Sequence, residues 1–151
     1  MKRLLTALVL ACNAPTALAC GYCVEDKMAA AYDHAVVVRA LGQKHRVAFF
    51  HIDGTLPPGQ STKRALEAIA ESAAGADPGS ARVSVESSSL AVAFDPQRTP
   101  VAALQSALER KLAAKKVSLM LLQVMDRPAD FSPSVSRALR ATWNPHHPTK
   151  P

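Results

Sequence analysis

Leu90-Ala91-Val92-Ala93-Phe94-Asp95-Pro96, followed by Thr99-Pro100-Val101-Ala102-Ala103-Leu104, is the stretch on which the fold turns. Ser89 to Phe94 has the length and apolar content of a strand. Asp95-Pro96 breaks it, because proline lacks the amide that a continuing strand would donate. Thr99-Pro100 then opens a helix, with Thr99 at the N-cap and Pro100 at the first helical position. Val101, Leu104, Leu108 and Leu112 recur at helical spacing and form its buried stripe.

The same reading extends in both directions. Ala81 to Glu86 is a strand joined to Ser89–Phe94 by a serine-rich turn, and Lys116 to Met125 is the last strand. Upstream, Arg46 to Asp53 is β-branched and aromatic and reads as a strand. Gly54 to Gln60 holds two glycines and two prolines and reads as a loop. Ser61 or Thr62 is expected to cap a helix running to about Ala74, with Leu66, Ile69, Ala70 and Ala73 on one face. From 46 to 125 the order is β-α-β-β-α-β, the ferredoxin-like split βαβ unit. The fold class is therefore α+β: a four-stranded antiparallel sheet with two helices on one face and the other face open. Residues 24–41 read as one further helix. Val24, Met28, Ala31, Ala35, Val38 and Leu41 recur at helical spacing, and Gly42 stops it. That stripe must be buried either on the open sheet face or on a partner protein.

These residues resemble the heavy-metal-associated domain, the small copper-chaperone fold, over about residues 46–122. Leu90 to Pro96 with Thr99 to Leu104, Ala107 and Leu108 looks like that family's third strand, Asp-Pro turn and second helix. Asp53-Gly54, the loop and Ala65-Leu66-Glu67-Ala68-Ile69 look like its metal loop and first helix. The family carries Gly-Met-x-Cys-x-x-Cys in that loop. Here the stretch is Gly54-Thr55-Leu56-Pro57-Pro58-Gly59-Gln60, with Thr55 in place of Met and Pro57 and Gln60 in place of the two cysteines. None of these supplies a thiolate, so the family's activity does not transfer with the fold.

The chain has 151 residues, 48% of them hydrophobic, with 28 alanines and few aromatics. This is one small domain plus termini, too short for a separate cofactor domain and too apolar for general disorder. Lys2-Arg3, the apolar run Leu4 to Cys12 and Ala17-Leu18-Ala19 compose a secretory signal peptide over 1–19, too short to span a bilayer. The chain divides further into a CxxC segment with its extra helix (20–45), the ferredoxin-like domain (46–125) and a Pro-rich tail (126–151). Within the tail, 135–142 has the pattern of a short helix. Cleavage lowers the formal charge from +6 to +4, with 16 basic and 12 acidic residues left. The expected location is periplasmic or secreted. Cys20 directly after the cleavage site also fits a lipoprotein, although Ala17 stands where a lipoprotein signal prefers Leu.

Cleavage also removes Cys12 and leaves Cys20 and Cys23, in Cys20-Gly21-Tyr22-Cys23, as the whole thiol inventory. Three readings of this CxxC stay open. Two thiolates suit Cu(I), and zinc is possible with two further ligands. The pair also fits a structural disulfide in an oxidising compartment. The third reading is a redox dithiol, against which stands the lack of a preceding strand and of a later thioredoxin pattern. Met28, His34 and His51 are candidate supplementary ligands. Each has a plainer role beside it: Met28 in the core, His34 in an exposed pair with Asp33, and His51 as a hydrogen-bonded strand residue. His146-His147 lie in the tail as weak candidates. The basic clusters lack interleaved aromatics, so nucleic acid is not an expected partner. They could steer docking onto an acidic partner, such as another metal-handling protein. No signature of a catalytic family is present.

Overall fold

The computed structural model describes residues 19–127, with side chains from residue 24 onward. Its elements are α1 (Ala19–Ala30), α2 (His34–Gly42), β1 (Arg46–Asp53), α3 (Gln60–Glu71), β2 (Arg82–Ser84), β3 (Ser89–Phe94), α4 (Val101–Leu112) and β4 (Ser118–Met125). A 3-10 turn, Ala113–Lys115, joins α4 to β4. The sheet order is β2-β3-β1-β4, with every neighbouring pair antiparallel. This is the ferredoxin-like arrangement expected from the β-α-β-β-α-β order.

The two central strands have apolar residues on both faces. Ala48, Phe50, Ile52, Leu90, Val92 and Phe94 face α3 and α4, where they meet Leu66, Ala70, Leu104, Leu108 and Leu112. Val47, Phe49, Ala91 and Ala93 face the other way and form a second core with Met125, Met28, Ala31, Val36, Val37 and Ala40. The sheet face left open by the sequence pattern is therefore the face on which α1 and α2 pack. Full burial of a Met or Val side chain contributes about 2 kcal/mol, and the small residues Ala31, Ala40, Ala91 and Ala93 let helix and sheet approach closely. β4 carries an irregularity: Phe49 pairs with Gln123 but Phe50 pairs with Leu121. Leu122 is the extra residue, and it packs against the second core.

The single helix expected over 24–41 is two helices. Asp33 has an extended backbone and caps α2, its Oδ1 accepting from the amides of Ala35 (2.9 Å) and Val36 (3.2 Å). An aspartate competes for backbone donors and so favours a cap over a helix interior. Its Oδ2 accepts from Arg82 Nε at 2.7 Å, which ties the break between the helices to β2. The CxxC lies within α1, and not ahead of a helix that begins at residue 24. Nor does Gly42 terminate α2 from outside; it is the last helical residue. The stop comes from Lys44 at φ 62°, with the amides of Lys44 and His45 donating to the carbonyls of Leu41 and Ala40.

Smaller differences have local causes. Gly59, not Ser61 or Thr62, precedes α3, and the helix ends at Glu71 with Ser72 as C-cap. Pro100 rather than Thr99 occupies the cap of α4. Extended φ/ψ at Pro100 places it just outside the helix. Strand β2 covers only Arg82–Ser84, the three residues that pair with Ser89–Ala91 of β3, within the Ala81–Glu86 expected. Lys116 and Val117 fall outside β4, since Lys116 at φ 56° still belongs to the turn. Gly75 (φ +91°) is required by close approach: a Cβ there would lie 2.6 Å from Thr99 Cγ2. The signal peptide read over 1–19, all but its last residue, the expected helix at 135–142 and His146-His147 lie outside the described residues.

Two predictions follow from the two ends of α2. The Arg82 guanidinium, helped by the two capping amides, holds the Asp33 carboxyl below the usual carboxylate range. The stabilisation is thus complete above the unfolded pKa of about 3.9 and is lost as pH falls through the lower folded value. Urea unfolding of wild type and Asp33→Ala is expected to differ by about 1 kcal/mol at pH 7, with the difference shrinking below pH 4. Lys44→Gly removes a left-handed strain at a C′ position and is expected to raise stability by about 1 kcal/mol in the same assay.

Candidate metal site on the second sheet face

The loop Gly54–Gly59 is exposed apart from Leu56, which packs against the first core. Leu56 therefore anchors the loop by hydrophobic contact, and the loop presents no thiol, imidazole or thioether. The chemistry-bearing residues are on the opposite face of the sheet, under α1.

β1 places His51 there, since it alternates with Val47 and Phe49. Its Nδ1 lies 2.9 Å from the Ser88 carbonyl and 3.0 Å from Lys27 Nζ. Lys27 Nζ also donates to the Ser87 carbonyl at 3.0 Å. One nitrogen cannot serve both partners of His51 at once. With its proton on Nδ1 the ring donates to Ser88, and Nε2 is left with a free lone pair. With its proton on Nε2 the ring accepts from Lys27 through Nδ1. Lys27 has the Ser87 carbonyl in either state, so the first arrangement leaves the ammonium and both carbonyls hydrogen-bonded. It is also the arrangement used by metal-binding histidines, which donate their second ring nitrogen to a carbonyl.

The other expected residues are distributed as follows. Met28 is 3% exposed and sits in the second core against the sheet. His34 is exposed at the start of α2, with its Nδ1 3.3 Å from Tyr32 Oη. The structure does not bring Met28, His34 and His51 together as one donor set, and no group of three or more His, Cys, Asp or Glu residues forms a metal cluster among the described residues. Cys20 and Cys23 occupy α1 two turns and one turn ahead of Lys27, on the helix that also contributes Lys27 and Met28 to the sheet face. No helix among the described residues is long and apolar enough to cross a membrane.

Three residues of this face escaped the sequence reading: Lys27, Ser89 and Met120. Ser89 and Met120 are the register partners of His51 on β3 and β4. Alternation within each strand carries part of that signal, but strand register carries the rest, and the irregularity at Leu122 hides it.

No family model matches the chain, and no curated protein matches it. Among solved structures, oxidized MerP from Ralstonia metallidurans CH34 is similar in fold over 52% of this chain and 99% of its own, with 15% identity and a TM-score of 0.40. A copper binding domain from HMA7, a P-type ATPase, is similar over 52% of this chain and 96% of its own (16% identity, TM-score 0.41). The N-terminal domain of a potential copper-translocating P-type ATPase from Bacillus subtilis, in the Cu(I)-loaded state, is similar over 55% and 94% (19% identity, TM-score 0.40).

Replacing Lys27 by Met is expected to leave His51 wholly in the tautomer protonated on Nδ1. Long-range proton–nitrogen NMR of the His51 ring reads this directly: Nε2 takes the shift of an unprotonated imidazole nitrogen, while wild type shows a mixture of the two tautomers.

Proposed function

We propose that this chain is an exported heavy-metal-binding protein, not an enzyme, and that it carries Cu(I) between the thiolates of Cys20 and Cys23. The observation that carries the reading is the docking of α1. The helix bearing both thiols is held on the sheet through Lys27 and Met28, with Ala31 just past its end, instead of extending as a tail. Positions three apart on a helix have Cβ atoms about 5–6 Å apart, a span that two sulfurs on one soft ion can bridge. Two thiolates satisfy linear Cu(I), whereas zinc would need two further donors. The loop that would hold the metal in the resembled family has no thiol here, so the thiol work falls to α1.

In this reading the signal peptide delivers the protein to the periplasm or exterior, and the basic residues of the surface steer it onto an acidic metal-handling partner. The metal is cargo, passed on by ligand exchange. The sheet and its two cores supply a rigid platform for the helix.

The experiment is anaerobic titration of the reduced protein with Cu(I) against a competing chelator. Wild type is expected to bind Cu(I) with high affinity at the two thiols. Cys20→Ser and Cys23→Ser are each expected to weaken binding by at least about 100-fold, more than the loss of an outer-shell partner costs. Absence of binding by wild type, or unchanged affinity in both variants, overturns the proposal. Turnover in an insulin-reduction assay would favour the redox alternative instead.

A further inference from the structure

We propose that His51 and Met120 form a second soft-metal subsite, an imidazole–thioether pair for Cu(I) or Ag(I) on the sheet face that also carries α1 and α2. It deepens the metal-binding reading above, but its donors are separate from Cys20 and Cys23, so the two readings fail separately.

The geometry begins with strand register. Ser89, His51 and Met120 are direct partners across β3, β1 and β4, so their side chains share one face of the sheet. That face also carries Phe49, Ala91 and the helices. Partners in antiparallel strands have Cβ atoms about 4.5–5.5 Å apart, which brings an imidazole and a thioether within reach of one ion. Met120 is 55% exposed, unlike Met28 and Met125, which are 3% and 0% exposed in the second core. An exposed methionine on an edge strand gains little from burial. Its sulfur is open to a soft cation, for which thioether and imidazole are both suitable donors.

His51 is already oriented for this role. Donation from Nδ1 to the Ser88 carbonyl at 2.9 Å frees the Nε2 lone pair, and Nε2 has no hydrogen-bond partner among the described residues. Lys27 is the competitor: when it donates to Nδ1, the proton moves to Nε2 and the donor is blocked. Metal binding therefore selects the arrangement in which Lys27 keeps only the Ser87 carbonyl. A third observation lies on the other side of His51. Ser89 is 1% exposed, and its Oγ has no hydrogen-bond partner among the described residues. A buried hydroxyl left unpaired is costly, and this one adjoins the imidazole in the same cross-strand row. Two open donors and an unpaired hydroxyl thus lie side by side on a face otherwise occupied by packed apolar side chains.

The test uses the Cys20→Ser/Cys23→Ser protein with 13C-methyl methionine, titrated with Ag(I) and observed by NMR. The Met120 methyl resonance is expected to shift as Ag(I) is added, while those of Met28 and Met125 stay in place as internal controls. Met120→Leu, a volume-conserving change at an exposed position, and His51→Gln are each expected to weaken Ag(I) binding about tenfold or more. Lys27→Met is expected to strengthen it. A Met120 methyl that does not move at stoichiometric Ag(I), or equal affinity in Met120→Leu and its parent, overturns the subsite whether or not the thiols bind metal. A shift of Met120 in a protein whose thiols bind no Cu(I) would support the subsite and sink the CxxC reading alone.

Discussion

The structure depends on the burial of both faces of one sheet. β1 and β3 carry large or apolar side chains on each side: Phe50 and Val92 toward one pair of helices, Phe49 and Ala91 toward another. A ferredoxin-like unit covers only one face with its own two helices. Left uncovered, the second face would expose Val47, Phe49 and Met125 to water, at a cost of about 2 kcal/mol for each large side chain. The segment ahead of β1 is therefore part of the fold. It supplies α1 and α2 as a third layer, and the contact of Lys27 with His51 follows from where that layer lands.

Asp33 and Arg82 set how it lands. A straight helix over 24–41 would carry a single stripe along one line, but the sheet is twisted and α1 and α2 cover different parts of it. The break at Asp33 lets each segment find its own contact. The capping amides and the Arg82 guanidinium satisfy both carboxylate oxygens at that bend. Arg39 adds a bond to the Gly79 carbonyl, and His45 one to Asp77, so α2 is tied to the connection between α3 and β2 along its length. The same layer holds Lys27 over His51. Packing, helix capping and the protonation of one imidazole are thus coupled through a few residues of α1 and α2.

The order of the elements was legible because strands and helices here announce themselves locally. The run at Ser89–Phe94 and the β-branched run at Arg46–Asp53 have the bounds found in the structure. The first core could be read off Leu66, Leu104, Leu108 and Leu112 by periodicity alone. Element ends were less legible. Thr99, Ser61 and Gly42 are good capping or stopping residues by type, yet Pro100, Gly59 and Lys44 hold those places. Capping is decided by backbone angles, which depend on how the chain enters the next element. The break at Asp33 was hidden for a related reason: Ala-rich periodicity continues across it, and only the partner Arg82, 49 residues away, makes the bend pay.

By itself the sequence determined the β-α-β-β-α-β order, the absence of thiols from the loop 54–60, and the concentration of cysteine at positions 20 and 23. These depend on residue identity and local spacing. Tertiary structure alone decided that the second sheet face is covered from within the chain. It also decided that α1 meets β1 at Lys27 and His51, and that Ser89, His51 and Met120 form one row. Those facts rest on strand register, on a β-irregularity at Leu122 and on helix docking. All three join residues between 24 and 78 positions apart, and no local pattern encodes a contact between segments whose relative placement is fixed only when the whole core closes.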